Sequence, residues 1–515
     1  MKKWIALLLC MLMPLGAAAS EMETMIVLGD SISVNGEAIS ADKNAPVHLE
    51  MICETHEDVP IELASLENSV VVISRGGSYR ISGTAQDTQI LVRAGSEDKV
   101  RLILDGADIT CRTAPAIAIE SAYDARIPGE YGVTIELADG SENTISGSHT
   151  KAPEDAEDAL EYDGAIGAQV SLGFEGTGSL IIDADNEGVE VALGHLTING
   201  GVLRISACDD PLNVAEDGAG TLTINGGHVY SAVKPTEGGE GDGIDSNGYI
   251  VFNGGTVINL AHPSSMDGGI DSDMGSTING GVIVGAGNMY DPIEADSAQL
   301  FMMLEFAEET DQLVVVTDEN DQPVFAYDFP HSYMYIAFST PELKEGTYRV
   351  YLGGEIEGEQ TDGLYTTITR YIPGERMQHG EGNAQMRRGG MPGEPPGAMP
   401  YEQTLRALDL NEILKDTDLN ELLKGLDLNR LLDAYDMDEL LTEEQIAQHF
   451  GDMDPSAAAQ PGRGFGGNPK RDRGGFGGGR GGMRGLESSA DTATSDFILS
   501  RDSTGFTNVQ AIQSR

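Results

Sequence analysis

Basic residues are scarce in this chain of 515 residues, which has 31 Lys and Arg against 84 Asp and Glu and a formal net charge of −53. So acidic a chain repels nucleic acids and anionic membranes, which we exclude as main partners. Between Tyr162 and Leu300 the only basic residues are Arg204 and Lys234. An anionic ligand could approach that part of the surface only through a bridging metal ion.

Cysteine is also rare. Cys10 lies in the N-terminal apolar run, and the remaining Cys53, Cys111 and Cys208 are sparse and odd in number, which excludes a disulfide framework. The chain has a single tryptophan, Trp4, which lies in the same apolar run. The rest of the chain therefore lacks the flat indole rings that stack on extended planar ligands.

Long apolar runs are absent beyond the first residues. A basic start, an apolar run from Trp4 to Leu15 and three alanines before Ser20 predict a cleaved signal peptide over residues 1–19. We therefore expect a secreted, extracellular protein, with association with the cell wall left open. No later run is long and apolar enough to span a membrane.

A short phrase, an apolar strand followed by Asn-Gly-Gly, occurs four times in the middle of the chain. Its asparagines are 26, 28 and 26 residues apart, and they are Asn199, Asn225, Asn253 and Asn279. A fixed period with strands and turns but no helical pattern predicts an all-β fold, a right-handed parallel β-helix. Equivalent residues would lie roughly 4.8 Å apart, so the amides would form a structural ladder. Unrelated Asn-Gly hairpins are the alternative, but they do not explain the period.

A second repeat has the form acid, Gly or Pro, aliphatic residue, acid or amide. Its copies are 187–190, 210–213, 242–245, 267–271 with one extra Gly, and 291–294. Because strand side chains alternate, the aliphatic residue would point into the core and its acidic neighbour outward. Stacked carboxylates would repel each other by roughly 3.5 kcal/mol per pair at an effective dielectric constant of about 20, unless a cation lies between them.

Calcium is the cation that this repeat favours, because it takes carboxylate, amide and backbone oxygens as ligands. The densest groups of such oxygens are at 242–247 and 267–273. The alternative is that these acids solvate exposed turns and bind no metal. The predicted metal ligands are Glu187, Glu190, Asp210, Asn213, Asp242, Asp245, Asn247, Asp267, Asp271, Asp273, Asp291 and Glu294.

Composition divides the remaining chain. A period of nine residues in Asp and Leu predicts a run of short helices, each with Asp as its N-cap, which would be a docking module or a spacer. The Gly- and Arg-rich tail predicts disorder; it could contact an anionic cell wall, fold back on the acidic repeats or have no partner. The predicted segments are a signal peptide (1–19), an N-terminal segment (20–44), the β-helix (45–300), a small antiparallel β cap (301–355), a linker (356–400), the helical repeat (401–450) and the disordered tail (451–515).

With these motifs in place, the chain resembles a known family. It is similar to a family of bacterial extracellular parallel β-helix proteins that are described as carbohydrate-binding domain-containing proteins. The similarity lies in the stretches 77–84 and 99–109 and in the Asn-Gly-Gly and acidic phrases. The resemblance covers about residues 45 to 355. It implies calcium-stabilised repeats with a shape like that of pectate lyases, and binding of acidic or plant-type polysaccharide without known cleavage.

We therefore expect a non-catalytic, calcium-dependent polysaccharide-binding protein, and no catalytic residue is assigned. One alternative is a polysaccharide lyase or hydrolase, which needs a base beside calcium or a pair of carboxylates. Arg204, Lys234 and the pair Asp209 and Asp210 are the available candidates, but no catalytic motif surrounds them. A structural or adhesive surface protein is the third possibility. The missing indole rings favour soluble or acidic glycans over crystalline cellulose.

Overall fold

The chain is described here by a computed structural model over residues 23–52, 60, 62–63, 65–150, 160–294, 297–379, 497–499 and 505–511. All regular structure in these residues is β-strand, which confirms the all-β prediction for this part of the chain. It follows that no membrane-spanning helix is found there. The predicted signal peptide (1–19) and helical repeat (401–450) lie outside the described residues.

The strands are numbered in chain order. Those before residue 150 are β1 Thr24–Leu28, β2 Ser33–Val34, β3 Glu37–Ala38, β4 Val47–Ile52, β5 Asn68–Ile73, β6 Gly77–Gln86, β7 Thr88–Arg93, β8 Val100–Thr110, β9 Ile117–Ser121, β10 Val133–Leu137 and β11 Glu142–Gly147.

The strands of 160–294 are β12 Gly164–Ala168, β13 Leu172–Gly176, β14 Ser179–Ala184, β15 Glu187–Val191, β16 His195–Ile198, β17 Val202–Ala207, β18 Leu212–Val214, β19 Thr221–Ile224, β20 His228–Val233, β21 Asp245–Ser246, β22 Tyr249–Phe252, β23 Thr256–Leu260, β24 Asp271–Ser272, β25 Gly275–Ile278 and β26 Val282–Gly287. The last group is β27 Phe301–Thr310, β28 Val314–Thr317, β29 Pro323–Tyr327, β30 Tyr333–Ser339, β31 Gly346–Thr361, β32 Leu364–His379, β33 Phe497–Leu499 and β34 Gly505–Ala511.

Three stacks of parallel strands form the main body. Stack 1 contains β10, β13, β16, β19, β22 and β25, and stack 2 contains β11, β14, β17, β20, β23 and β26. Stack 3 runs from β5 through β7, β9, β12, β15, β18 and β21 to β24. The long strands β6 and β8 extend both stack 1 and stack 2. From β13 to β23, each strand pairs with the strand three places later, so three consecutive strands form one repeat unit.

Aliphatic side chains fill the space between the stacks. In β17, every second residue from Leu203 onward is buried, as the alternation of strand side chains requires. Equivalent positions form columns, for example Ile198, Ile224, Phe252 and Ile278, all fully buried. Each such side chain contributes about 1.5–3 kcal/mol to folding through burial, so the apolar positions of the repeat define the core.

The four asparagines of the first repeat form a ladder at the corner between stacks 1 and 2. Each Nδ2 donates a hydrogen bond to the Oδ1 of the preceding asparagine: Asn225 to Asn199 at 2.7 Å, Asn253 to Asn225 at 2.8 Å and Asn279 to Asn253 at 2.9 Å. The second glycine of each phrase has a positive φ, for example +88° at Gly227. A side chain there would be strained, because L-residues avoid this region.

Antiparallel strands follow stack 2. Strand β30 pairs with β26 and β27, and β28 pairs with β29 and β31. Their own core packs on the outer side of stack 2, where Ile258 and Val284 join Val316, Phe325 and Phe338. The rings of Phe325 and Phe338 stack with centroids 4.0 Å apart. These strands cover the open edge of β26, which would otherwise invite aggregation.

Two segment predictions are corrected, and a third segment, for which no structure was predicted, contains a strand. The linker prediction (356–400) is wrong for 356–379, because β31 and β32 pair there as a long antiparallel hairpin. The disordered tail (451–515) contains β33 and β34, which pair with β31, β27 and β32. The N-terminal segment (20–44) contains β1, whose parallel pairing with β6 adds it to stack 1. The partners of β1, β33 and β34 lie far away in sequence, where local composition carries no information about them. Strands β31 and β32, by contrast, are neighbours joined by a two-residue turn.

The Asn-Gly-Gly corner makes a stability prediction. A Cβ on Gly227 would lie 2.6 Å from the carbonyl oxygen of Gly201, whereas a Cβ on Gly238, which also has a positive φ, would meet nothing within 4 Å. Both Gly→Ala variants incur the conformational cost of a positive φ, but Gly227→Ala should lower the free energy of unfolding by about 2 kcal/mol more, because of overpacking. Urea denaturation followed by circular dichroism measures the difference, and equal losses would contradict the close stacking of the corners.

Candidate functional site

The acidic repeats superimpose on stack 3. Strand pairing places Glu190 opposite Asn213, Asn213 opposite Asp245, and Asp245 opposite Asp271. We call these four residues column A. The aliphatic residue before each of them faces the opposite way and is buried in the core; these are Val189, Leu212, Ile244 and Ile270. Burial of the aliphatic position therefore fixes the carboxylates in register.

A second column lies three residues earlier in the same repeats. Its members Glu187, Asp210 and Asp242 form column B, and backbone groups hold them in place. The amide N–H of Asp242 donates to Asp210 Oδ1 at 2.7 Å, and the N–H of Gly268 donates to Asp242 Oδ1 at 2.5 Å. Columns A and B together form what we call the acidic cluster.

Burial changes the proton affinity of the acidic cluster. Removal from water, followed by repulsion from the neighbouring carboxylates, raises the pKa of Glu190 to about 8, of Asp245 to about 7 and of Asp271 to about 8. The same causes raise the pKa values of the column B acids. Like charges in a site shielded from water disfavour ionisation. Without a counter-cation, the cluster therefore holds protons at neutral pH.

The donor atoms of the cluster suit a hard cation. Ligand oxygens of Asp242, Asp245 and Asp271 all lie within 4.8 Å of one another. One stack position from Asp245, Asn213 Nδ2 donates to Glu187 Oε1 of the next strand at 2.9 Å, while Glu187 Oε2 and Asn213 Oδ1 are buried without a hydrogen-bond donor. Buried acceptors without donors are costly in a folded protein. An all-oxygen set of carboxylates and amides fits calcium better than softer metals.

The other predicted ligands surround the cluster to different degrees. Asp267 accepts a hydrogen bond from the N–H of Gly241 at 2.8 Å, and Asp291 accepts one from the N–H of Ser272 at 3.1 Å. The charge of Asp291 contributes to the raised pKa of Asp271, and that of Asp273 to the raised pKa of Asp245. These three acids therefore lie close enough to interact electrostatically with a cation in the cluster.

Two predicted ligands are placed elsewhere. The amide of Asn247 donates to Asp217 Oδ1 at 2.9 Å and to the carbonyl oxygen of Ala215 at 3.0 Å. Glu294 is exposed, and its carboxylate lies beside Gly275, where an added Cβ would be 2.8 Å from Oε1. The structure thus gives Asn247 a role in joining two successive turns and does not bring Glu294 into the cluster.

Two acids that the repeat pattern missed act on the cluster. The N–H of Asp163 donates to Glu190 Oε2 at 2.8 Å, and the charge of Asp163 raises the pKa of both Glu187 and Glu190. The charge of Asp209 likewise raises the pKa of Asp210. The sequence does carry a sign of Asp163, because Asp163-Gly164 begins like the acidic repeat but lacks the acid or amide that ends it.

The candidate bases of an enzyme are held in ion pairs. Arg204 lies 2.9 Å from Asp362 Oδ2, which also contacts His228 Nε2 at 2.6 Å. Lys234 Nζ contacts Asp183 at 2.5 Å and donates to the carbonyl oxygen of Ala184 at 2.6 Å. Asp362 lies in the turn between β31 and β32, within the segment that was predicted to be a linker. Its contact with stack 2 was therefore not predictable from the repeats.

Comparison with known proteins finds similarity over the stacks. Residues 67–299, from before β5 to beyond β26, match the family model described as carbohydrate-binding domain-containing protein. A carbohydrate-binding domain-containing protein of Acetivibrio thermocellus is 33% identical over 144 residues, which are 28% of this chain and 47% of that protein. The chain thus spans about half the length of this relative.

Among solved structures, the chain is similar to a polysaccharide lyase-like protein from C. thermocellum, studied as a gadolinium derivative. The sequence identity is 24% and the TM-score is 0.34, with 51% of this chain and 94% of that chain covered.

The raised pKa values predict how stability depends on pH without metal. Ordinary carboxyls in an unfolded chain lose their protons near pH 4, whereas Asp245, Glu190 and Asp271 keep theirs to about pH 7 or 8. The folded state then binds more protons than the unfolded state, so stability should fall as pH rises from 5 to 8. Thermal melting in EDTA measures this decline. Asp245→Asn should reduce it, and a midpoint that stays constant or rises over this range would contradict the burial of the cluster.

Proposed function

We propose that this chain is a secreted, non-catalytic polysaccharide-binding protein whose acidic cluster holds calcium. The observation that carries the proposal is the acidic cluster itself, in which carboxylates are aligned, shielded from water and left with buried oxygens that lack donors. Net repulsion among them is unfavourable in the metal-free protein. A calcium ion would offset this repulsion and give the unpaired oxygens a partner.

Asp242, Asp245 and Asp271 would hold the ion, and Asn213 offers a further oxygen one stack position away. Glu187 lies one position beyond Asn213 and offers an oxygen there. Calcium bound there would supply the positive charge that coordinates sugar hydroxyls or uronate carboxylates. The chain's own contribution is orientation: the buried aliphatic positions keep the carboxylates in register, and the N–H of Gly268 fixes the Asp242 carboxylate. Little reorganisation is then required when a ligand binds.

We propose that the three stacks wind as a right-handed parallel β-helix. The pairing of each strand from β13 to β23 with the strand three places later supports this winding. The match of residues 67–299 to a carbohydrate-binding domain-containing family supports a glycan as the ligand. The apolar N-terminal run supports secretion, and the missing tryptophan platforms favour acidic or soluble glycans over crystalline ones.

Binding without cleavage is supported by the state of the candidate bases. A lyase needs a base that is free to take the proton next to a uronate carboxylate. Arg204 and Lys234 each donate to a carboxylate of this chain, so neither is poised for that step. A purely structural surface protein would share the calcium response but would show no affinity for sugars.

The calcium proposal predicts opposite effects of metal and mutation. Calcium at millimolar concentration should raise the thermal midpoint of residues 20–515, and EDTA should lower it, because a ligand of the folded state stabilises by mass action. Replacing both Asp242 and Asp245 by Asn should abolish most of this response. The same double variant should raise the metal-free midpoint, because it removes carboxylate repulsion.

Asp318 and Asp321 provide the matched control for these melting experiments. Both lie in the turn between β28 and β29, where Asp318 accepts hydrogen bonds from its own turn and Asp321 pairs with Arg349. Replacing both by Asn changes net charge equally and should leave the calcium response intact. Equal losses in the two double variants would mean that the acids act only through net charge. A wild-type midpoint insensitive to calcium and EDTA would refute the calcium proposal.

The glycan proposal predicts retention without products. Residues 20–515 should be retained by polygalacturonate in calcium, less by xylan and least by cellulose, with no new reducing ends and no absorbance from unsaturated uronate. Affinity electrophoresis and a product assay on the same samples measure both properties. Calcium-dependent unsaturated product would instead identify a lyase. No retention on any polymer, with the calcium response intact, would leave a structural surface protein.

A further inference from the structure

A cavity of ≈ 250 Å³ opens on the outer side of stack 1, away from the acidic cluster of stack 3. Its walls come from the ends of β6, β8 and β10 and from the segment before β10. The lining residues are Gly77, Ser78, Lys99, Val100, Arg101, Tyr131, Gly132 and Thr134. Lys99 and Arg101 give this cavity two positive charges on a chain whose net charge is −53.

Lys99 differs from most cations of the neighbouring strands. Arg80, Arg93 and Arg112 each pair with a carboxylate of this chain. Across the described ranges, no carboxylate lies within the 4.0 Å of an ion pair from the Lys99 ammonium, which instead lies 4.8 Å from the ring centroid of Tyr123. An exposed ammonium on an aromatic face keeps donors available for an anionic ligand.

Arg101 lies beside Lys99 and pairs with Glu136. A guanidinium has five N–H donors in a planar fork, so one carboxylate partner leaves donors for a second anion. Strand pairing places Arg101 between Ser78 and Thr134. Two hydroxyl groups therefore flank the guanidinium in the same row and add neutral hydrogen-bonding capacity.

Tyr131 forms an aromatic wall that is fixed in place. Its ring lies over Gly173, where even a Cβ would be 2.6 Å from the ring carbons. Its hydroxyl donates to Glu175 and accepts a hydrogen bond from Asn199 Nδ2 at 3.1 Å. The first member of the asparagine ladder thus anchors the ring. A rigid ring face beside cations and hydroxyls is the arrangement that contacts the C–H face of a sugar while its polar groups are paired.

The row that passes through the cavity continues along stack 1 with small side chains. Thr134 is paired with Gly173, Gly173 with Thr197 and Thr197 with Thr223. Because these side chains are small, they do not protrude beyond the Tyr131 ring. Thr197 is buried and the Tyr131 ring lies over Gly173, so the cavity ends at this ring.

We infer that this cavity is a subsite for one uronate unit of an acidic polysaccharide, with Lys99 and Arg101 on its carboxylate and Tyr131 against its ring. The inference rests on the proposed function and assigns recognition of the ligand's carboxylate to this cavity. Recognition here uses the chain's own cations. It therefore differs from any contact that a metal in the acidic cluster would mediate.

The test compares two lysines on the full chain. Lys99→Met removes the proposed contact, and Lys344→Met removes an equally exposed lysine that lies before β31. Isothermal titration measures the binding of oligogalacturonate and of its methyl ester to residues 20–515 in constant calcium. We expect Lys99→Met to weaken oligogalacturonate binding about two- to fivefold, the usual range for one exposed ion pair. Lys344→Met and the wild type should bind alike, and the methyl ester should not distinguish any of the three proteins.

Each other outcome refutes a different statement. If wild-type protein binds oligogalacturonate and Lys99→Met binds it equally well, the subsite is wrong and the proposed function stands. Equal weakening by both lysine variants would replace the subsite with a general effect of charge. If the wild type binds no glycan in calcium, both the subsite and the proposed function fail. Unchanged melting of Lys99→Met excludes a folding defect, as expected for an exposed side chain.

Discussion

In-register stacking of parallel strands is the constraint on which the rest of this structure depends. Once the aliphatic positions of one repeat unit lie on those of the next, every other position must also repeat at the strand spacing. The consequence is favourable for asparagine, whose amide donates to the next carbonyl, and for isoleucine, which packs on itself. It is unfavourable for aspartate. The same geometry that builds the core therefore assembles the acidic cluster, and the two cannot be separated by small local changes.

The surfaces of the three stacks divide the chemistry between them. Stack 3 concentrates carboxylates, and stack 1 presents amides, hydroxyls and two cations. The last three strands of stack 2 are covered by the antiparallel strands that follow them. A chain with few basic residues thus places some of them where the acidic cluster is absent. This separation allows the cations and the carboxylates to bind different ligands, because exposed charges act mainly within about a Debye length, roughly 8–10 Å.

Sequence reasoning succeeds here where information is local and periodic. The spacing of Asn-Gly-Gly predicted the ladder, and the acidic phrase predicted most of the residues that stack 3 brings together. It failed where partners are distant, because nothing near Asp362 indicates that it meets Arg204 and His228. The hairpin of β31 and β32 was missed for another reason: the linker composition that begins near Glu375 was extended back over its strand residues. The cavity on stack 1 was missed because Tyr131 belongs to no repeat, and its position depends on the bare backbone of Gly173.

The pairing of β34 sets an order of assembly. Strand β34 lies between β27 and β32, parallel to one and antiparallel to the other, and it contains some of the last residues of the chain. Stack strands, by contrast, pair with neighbours only one repeat unit away and can form progressively from the N-terminus. A chain that folds as it is synthesised from its N-terminus could thus complete its stacks before β34 joins this sheet. A chain without residues 505–511 would therefore keep its stacks but expose the edge of β27.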